Sequence, residues 1–265
     1  MNEQVTTHAS PAAPPSEPSE RLQSRGRHDM QSLNSMRGDL DDGYDCPQCL
    51  NRGFIYVGHN GVRLCDCKPI RDGLSRLKRQ GLLHASKRCT FASFRADAPW
   101  QRTLLERAQA FAALESPGWL FIGGQSGCGK THLCTAAAVA LLYRGLSLRY
   151  MRWMNDSAQI KSLGADSARS ALLQGFIDAP LLYIDDLFKT PPTEADVRIA
   201  FEILNERYNN PEKITIISSE RTLPEITRID EAVGGRIFER CGADFQLNVA
   251  RAPERNFRFQ DVPQI

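Results

Sequence analysis

The chain has 265 residues, of which 42% are hydrophobic and 24% charged, with 33 Lys and Arg against 31 Asp and Glu for a net charge of +2. At about 150 residues per domain, this length holds one full domain and a small module. The near balance of charge gives no argument for a chain that coats nucleic acid wholesale. The longest apolar run, AAAVALLY at 136–143, is far short of a membrane span. MNEQVTTHAS has neither the basic start nor the apolar core of a signal peptide. A cytoplasmic protein without membrane partners is therefore expected. In a reducing compartment eight cysteines are not expected to form disulfides, so they need another role.

Residues 1–20 carry four prolines and no aromatic, Leu or Ile, and bury too little surface to offset ordering entropy. A disordered or loosely attached tail is expected over 1–42. Within 43–69, Cys46, Cys49, Cys65 and Cys67 form C-x2-C-x15-C-x-C around the short β-like run FIYVGHNGVRLC. Thiolates at this density suit tetrahedral Zn²⁺, which would supply the folding energy that so small a module lacks. Free thiols or a redox pair are the alternatives, and His59 is a substitute ligand. Residues 70–90 read as a basic helical connector, with six Lys or Arg and one Asp between 71 and 88. It is either a docking arm for DNA or a partner, or a solvated helix face.

From 91 to 265 strand and helix patterns alternate, which predicts a mainly parallel sheet with helices on both faces. Strands are expected at 119–124, 146–151, 179–187, 213–219 and 245–249. Helices are expected after Gly129, then at 156–176, 193–208 and 230–241. Cys89, Cys128, Cys134 and Cys241 lack ligand spacing and read as ordinary small residues.

Residues 124–131, GQSGCGKT, match G-x-x-x-x-G-K-[ST] between a strand and a helix. Such a loop turns backbone N–H groups toward phosphate oxygens at the positive end of the helix that follows. Gly124, Gln125, Ser126, Gly127, Cys128, Gly129, Lys130, Thr131 and His132 are therefore the candidate ATP-binding residues. Lys130 would meet the β- and γ-phosphates, and the Thr131 hydroxyl would meet Mg²⁺. The partner motif is LLYIDD. Asp185, at the end of an apolar strand, is placed for Mg²⁺, and Asp186 for orienting the attacking water. Near the C-terminus GGRIFERC sets Arg236 and Arg240 four apart, on one helix face. A solvated face and a pair of phosphate-binding forks both remain open.

The segments RCTFASF (88–94), GGQSGCGKTHL, LLYIDDL, TIISSERTLPEI (215–226) and DEAVGGRIFERC (230–241) together resemble AAA+ ATPases of the DnaC/DnaI-type helicase loaders, phage versions included, and the related IstB-type ATPases. The resemblance spans roughly 88–260. It implies a five-stranded parallel AAA+ P-loop core without the C-terminal lid domain, and a loader that delivers a ring-shaped DnaB-type helicase onto single-stranded DNA. It also implies self-association through the ATP interface. By this resemblance Ser219 or Glu220 faces the γ-phosphate, and Arg240 acts in trans as an arginine finger with Arg236 as its partner. Arg251, Arg255 and Arg258 are candidates for a remnant sensor arginine. Glu220 stands where many relatives carry Asn, and Asp186 where many AAA+ proteins carry Glu. Arg144, Arg149, Arg152 and Lys161 form a further DNA-contact candidate. Two other readings are an IstB-like transposition helper and a nucleotide-gated adaptor with negligible turnover.

Overall fold

The computed structural model describes residues 31–57, 61–79, 81–164 and 167–259, and divides between Asp66 and Cys67 into two compact units. His59 and residues 1–30 lie outside the described residues.

In the first unit β1 (Phe54–Val57) and β2 (Gly61–Leu64) pair antiparallel, Phe54 opposite Leu64. The described part of the expected tail, residues 31–42, does not hang free. The Asn34 amide bridges β1, donating to Tyr56 O at 3.0 Å and accepting from Tyr56 N at 3.1 Å. Gly38 N and Leu40 N donate to the carbonyls of Leu50 and Asn51. Composition cannot reveal this, because the segment is held by polar groups, not by apolar burial.

The second unit opens with α1 (Lys68–Arg79) and α2 (Leu83–Arg88). These occupy the expected connector, yet Ile70, Leu74 and Leu77 are buried, and a Cβ on Gly73 would sit 2.2 Å from Leu142 Cδ1. Arg76 Nη2 donates to Ser147 Oγ at 2.8 Å. The basic stretch is thus packed into the second unit: Arg71 is buried, whereas Lys78, Arg79, Lys87 and Arg88 are exposed.

Helix α3 (Pro99–Ala113) precedes β3 (Trp119–Gly124) and α4 (Lys130–Tyr143). Then come β4 (Leu148–Arg152), α5 (Trp153–Ser162), α6 (Ser167–Asp178), β5 (Leu181–Asp185) and α7 (Glu194–Tyr208). Strand β6 (Ile214–Ser219), α8 (Leu223–Ile229), α9 (Glu231–Cys241) and β7 (Gln246–Val249) complete the fold. All strand pairs in the five-stranded sheet are parallel, in the order β4-β5-β6-β3-β7. Strand β3, between β6 and β7, is buried along its whole length. Trp119 and Phe121 join one core, together with Met151, Ile184, Ile217, Ile203 and Ile237. The intervening Leu120 and Ile122 are also fully buried, as a sheet covered on both faces requires.

Two helices depart from the sequence pattern. The single helix expected over 156–176 is broken at Gly164, whose φ is +62°. Helix α8, not foreseen, is set off from α9 by Asp230, which takes φ −152° and accepts from Val233 N at 2.7 Å as N-cap. Among the described residues no helix is long and apolar enough to cross a membrane.

Arg207 is fully buried at the start of β6, the end of the sheet away from the phosphate loop. Its guanidinium donates to Thr215 Oγ1 and to the carbonyls of Phe176, Ile177, Ala179 and Ile214, at 2.6–3.1 Å. Burial pushes its pKa down to about 9, so it stays charged at neutral pH. This fork ties α6, α7 and β6 together. Arg207→Met leaves those acceptors without donors and is expected to cost about 3 kcal/mol or more. The urea midpoint measures this, and an unchanged midpoint would contradict it.

Candidate functional site

The loop between β3 and α4 is shaped by Gly124, Gly127 and Gly129, whose φ values are +137°, +79° and +91°. A Cβ on Gly129 would fall 2.6 Å from Phe94 Cε2, and one on Gly127 would fall 2.0 Å from Asn256 Oδ1. Both positions therefore need glycine for backbone conformation and for space. The amides so exposed lie at the N-terminus of a fourteen-residue helix, a ready anion site. Lys130 is buried and donates to Gln125 O at 2.8 Å. Ser126, Gly127, Gly129, Lys130, Thr131, His132, Asp186, Lys189, Glu220 and Arg258 line one cleft. Cys128 is buried beneath it, and burial raises its thiol pKa. Burial raises Cys89, Cys134 and Cys241 likewise, so all four remain neutral small groups.

Asp185 receives hydroxyl hydrogen bonds on both carboxylate oxygens. Ser218, Tyr183 and Thr131 donate to Oδ1 at 2.6, 2.9 and 3.3 Å, and Tyr150 donates to Oδ2 at 2.8 Å. Burial, then the Asp185 charge, raises both tyrosines well above the usual phenol range, so they remain donors. The Thr131 hydroxyl beside an oriented carboxylate is the donor set a hard cation takes, and Mg²⁺ bound there would neutralise phosphate charge.

Asp186 lies in the left-handed region at φ +59°. Its N–H donates to Ser218 Oγ at 3.0 Å, and its carboxylate pairs with Lys189 at 2.6 Å. Glu220 lines the cleft. Ser219 does not. It is fully buried, and its hydroxyl donates to Leu187 O at 2.6 Å and accepts from Arg221 N. The pleat explains the correction: neighbouring strand residues point to opposite faces. Ser218, one residue earlier, bonds both adjacent aspartates. Sequence reasoning missed Ser218 and Lys189, and strand alternation counted back from Glu220 would have found the serine.

Residues 250–259 strap onto the loop. Gln125 Nε2 donates to Ala252 O, and Ala252 N donates to Gln125 Oε1, both at 2.7 Å. Phe257 N donates to Gly127 O, and Arg258 Nη1 donates to Ser126 Oγ at 3.2 Å. Among the three sensor-arginine candidates it is Arg258 that enters the cleft. Arg255 stacks on Trp100 instead, and Arg251 lies 3.9 Å from Glu225. His132 bonds Thr90 O at 2.7 Å through Nε2, and its ring meets Phe94 edge-on, which fixes the RCTFASF segment beside the loop.

The structure brings Arg236 and Arg240 to one helix, α9, but engages both within the chain. Arg236 donates to Asn205 Oδ1 from two nitrogens and covers the Phe201 ring at 4.7 Å. Arg240 donates to Pro211 O at 2.8 Å and lies 5.8 Å from the Trp119 ring, while its Nε is buried without a hydrogen-bond partner. Trp119 begins β3, so Arg240 sits at the far end of the sheet from its own phosphate loop. In the DNA-contact candidate, Arg144 bonds Ala112 O, Arg149 stacks on Phe176 and Lys161 pairs with Asp196, while Arg144, Arg152 and Lys161 are exposed.

The Sγ atoms of Cys46, Cys49, Cys65 and Cys67 all lie within 4.8 Å of one another and all four residues are buried. Cys46 and Cys65 approach to 3.7 Å. A tetrahedron of 2.3 Å Zn–S bonds separates its sulfurs by about 3.8 Å, so this set fits zinc.

Two outcomes are expected. Ser218→Ala removes a bond to each aspartate and should lower ATPase kcat about tenfold, whereas Ser219→Ala should lower the melting temperature at nearly unchanged kcat. Equal kcat in the two variants would contradict this. Elemental analysis should find a single zinc per chain that Cys49→Ser loses, and a metal-free wild type would exclude the centre.

A family profile described as IstB-like ATP binding protein matches residues 74–240. Phage-like element PBSX protein XkdC of Bacillus subtilis (strain 168) is 30% identical over 255 residues, covering 90% of this chain and 94% of the relative. Among solved structures, the DnaC helicase loader superposes at a TM-score of 0.50 with 20% identity, over 63% of this chain and 99% of the loader. The replication initiator DnaA, bound to AMPPCP and single-stranded DNA, gives 0.51 with 23% identity, over 64% of this chain and 51% of the initiator. The likeness thus spans about half of DnaA. With a family match across residues 74–240 and a relative aligned over nearly its full length, this chain belongs to the IstB-like ATP binding proteins and is an ATPase of the AAA+ P-loop class.

Proposed function

We propose that this protein is a cytoplasmic, phage-type loader that uses ATP to place a ring-shaped DnaB-type replicative helicase on single-stranded DNA. The observation that carries the reading is the likeness of its ATPase unit to almost the whole DnaC helicase loader, joined to a near full-length relative from a phage-like element. The cysteine module, held by Zn²⁺, serves as the docking arm for the helicase, with single-stranded DNA on the ATPase unit.

In this reading Lys130 and the loop amides hold the triphosphate, Thr131 and Asp185 hold Mg²⁺, and Asp186 orients the attacking water. Glu220 faces the γ-phosphate side, where it aligns the same water. Arg240 acts on the ATP of a neighbouring copy, leaving its own Pro211 carbonyl to do so. Arg236, clamped by Asn205, fixes the helix that presents it. A finger of this kind is worth roughly 10³–10⁵ in rate in GTPases. The family match itself favours a second reading, a transposition helper acting on duplex DNA and a transposase.

Native mass spectrometry of the protein with ring helicases, with and without ATP, tests the loader. A helicase complex supports it, whereas stimulation by duplex DNA without any helicase complex favours the second reading. Arg240→Ala is expected to retain ATP binding while losing assembly-dependent turnover by at least about 10²-fold. Full turnover in that variant would remove the finger.

A further inference from the structure

Two carboxylates, Asp186 and Glu220, line the cleft that receives the triphosphate, in addition to Asp185 at its base. Left alone, this pair would repel the most highly charged end of ATP. Lys189 stands between them, its Nζ 2.6 Å from Asp186 Oδ2 and 3.7 Å from Glu220 Oε1. Its hydrogen bond to Asp186 holds the ammonium above the usual lysine range. Lys189 itself lines the cleft with Lys130 and Arg258.

The turn that presents Lys189 is built firmly. Asp186 and Phe188 both take left-handed backbone, at φ +59° and +53°. Non-glycine residues hold such angles only when their surroundings over-determine them. Here Leu187 N donates to Ser218 O at 2.9 Å, Ser219 Oγ donates to Leu187 O, and Arg221 Nε donates to Phe188 O at 2.8 Å. Every one of these bonds runs to the end of β6 or just beyond it, where Glu220 also sits. The backbone beneath Lys189 is therefore fixed relative to both acids, and its four-carbon stem moves the charge.

We propose that Lys189 is the residue by which this site prefers ATP to ADP. Without nucleotide it neutralises the Asp186–Glu220 pair. With ATP bound, its ammonium transfers to a γ-phosphate oxygen and releases the Asp186 carboxylate toward the attacking water. ADP offers no oxygen at that position, so the lysine stays on the two acids. The inference rests on the cleft being the ATP site, not on helicase loading.

Titration calorimetry of the full chain with Mg²⁺ and either AMPPCP or ADP tests it. Lys189→Met keeps the stem and removes the charge. It should weaken AMPPCP about tenfold, the equivalent of one charge-assisted hydrogen bond, and leave ADP within about twofold. Lys189→Arg should retain the preference. Adding Glu220→Gln to Lys189→Met should recover part of the loss, because one of the two uncompensated acids is then gone. An unchanged ATP-to-ADP ratio in Lys189→Met, an equal loss for both nucleotides, or no recovery in the double variant overturns the inference. A wild type that binds neither nucleotide removes the ATP site itself, and the inference with it.

Discussion

One carboxylate at the end of a buried strand, Asp185, holds the catalytic half of this molecule together. Its four hydroxyl donors come from α4, β4, β5 and β6, so neighbouring strands and the phosphate-loop helix are registered on one charge. A half-buried carboxylate is costly unless its lone pairs are satisfied, and satisfied in this way it becomes a rigid reference point. The two tyrosines matter because they are apolar in body and polar at the tip. Each packs into the core with its ring, while its hydroxyl reaches the site. The strand end can therefore be well packed and still present a carboxylate to the cleft.

From that reference the neighbouring groups follow. Ser218 spans Asp185 and the Asp186 amide, which sets the left-handed turn that follows β5. The turn in turn directs Lys189 over Glu220. On the other side of the loop the strap from Ala252 to Arg258 closes the cleft with backbone and amide bonds, where apolar surface is not needed. The two halves of the site are thus held by different bonds: hydroxyl-to-carboxylate contacts beneath, and side-chain amide and backbone pairing above.

Much of this was legible in the sequence for identifiable reasons. WLFIGG, LLYIDD and TIISS are uninterrupted apolar runs, the signature of strands covered on both faces, and each ends near its expected residue. The phosphate loop is legible because glycine is required there by geometry. What escaped depends on alternation and on distant pairing. The distinction between Ser218 and Ser219 is a matter of one residue in register. The role of Lys189 emerges only when two separate loops meet. The break at Gly164 and the extended Asp230 are single-residue events inside otherwise helical patterns. Residues 31–42 look disordered by composition because polar contacts such as Asn34 with Tyr56 leave no periodic trace.

The strap has a consequence for how the protein is made. Gln125 and Ala252 are 127 positions apart, and the amide of one grips the backbone of the other from both sides. During synthesis the glycine loop, its lysine and both aspartates leave the ribosome well before their clamp. A half-made chain carries every recognisable motif of an ATPase without the enclosure that shapes the cleft. The clamp on the loop can therefore form only after Ala252 has been made.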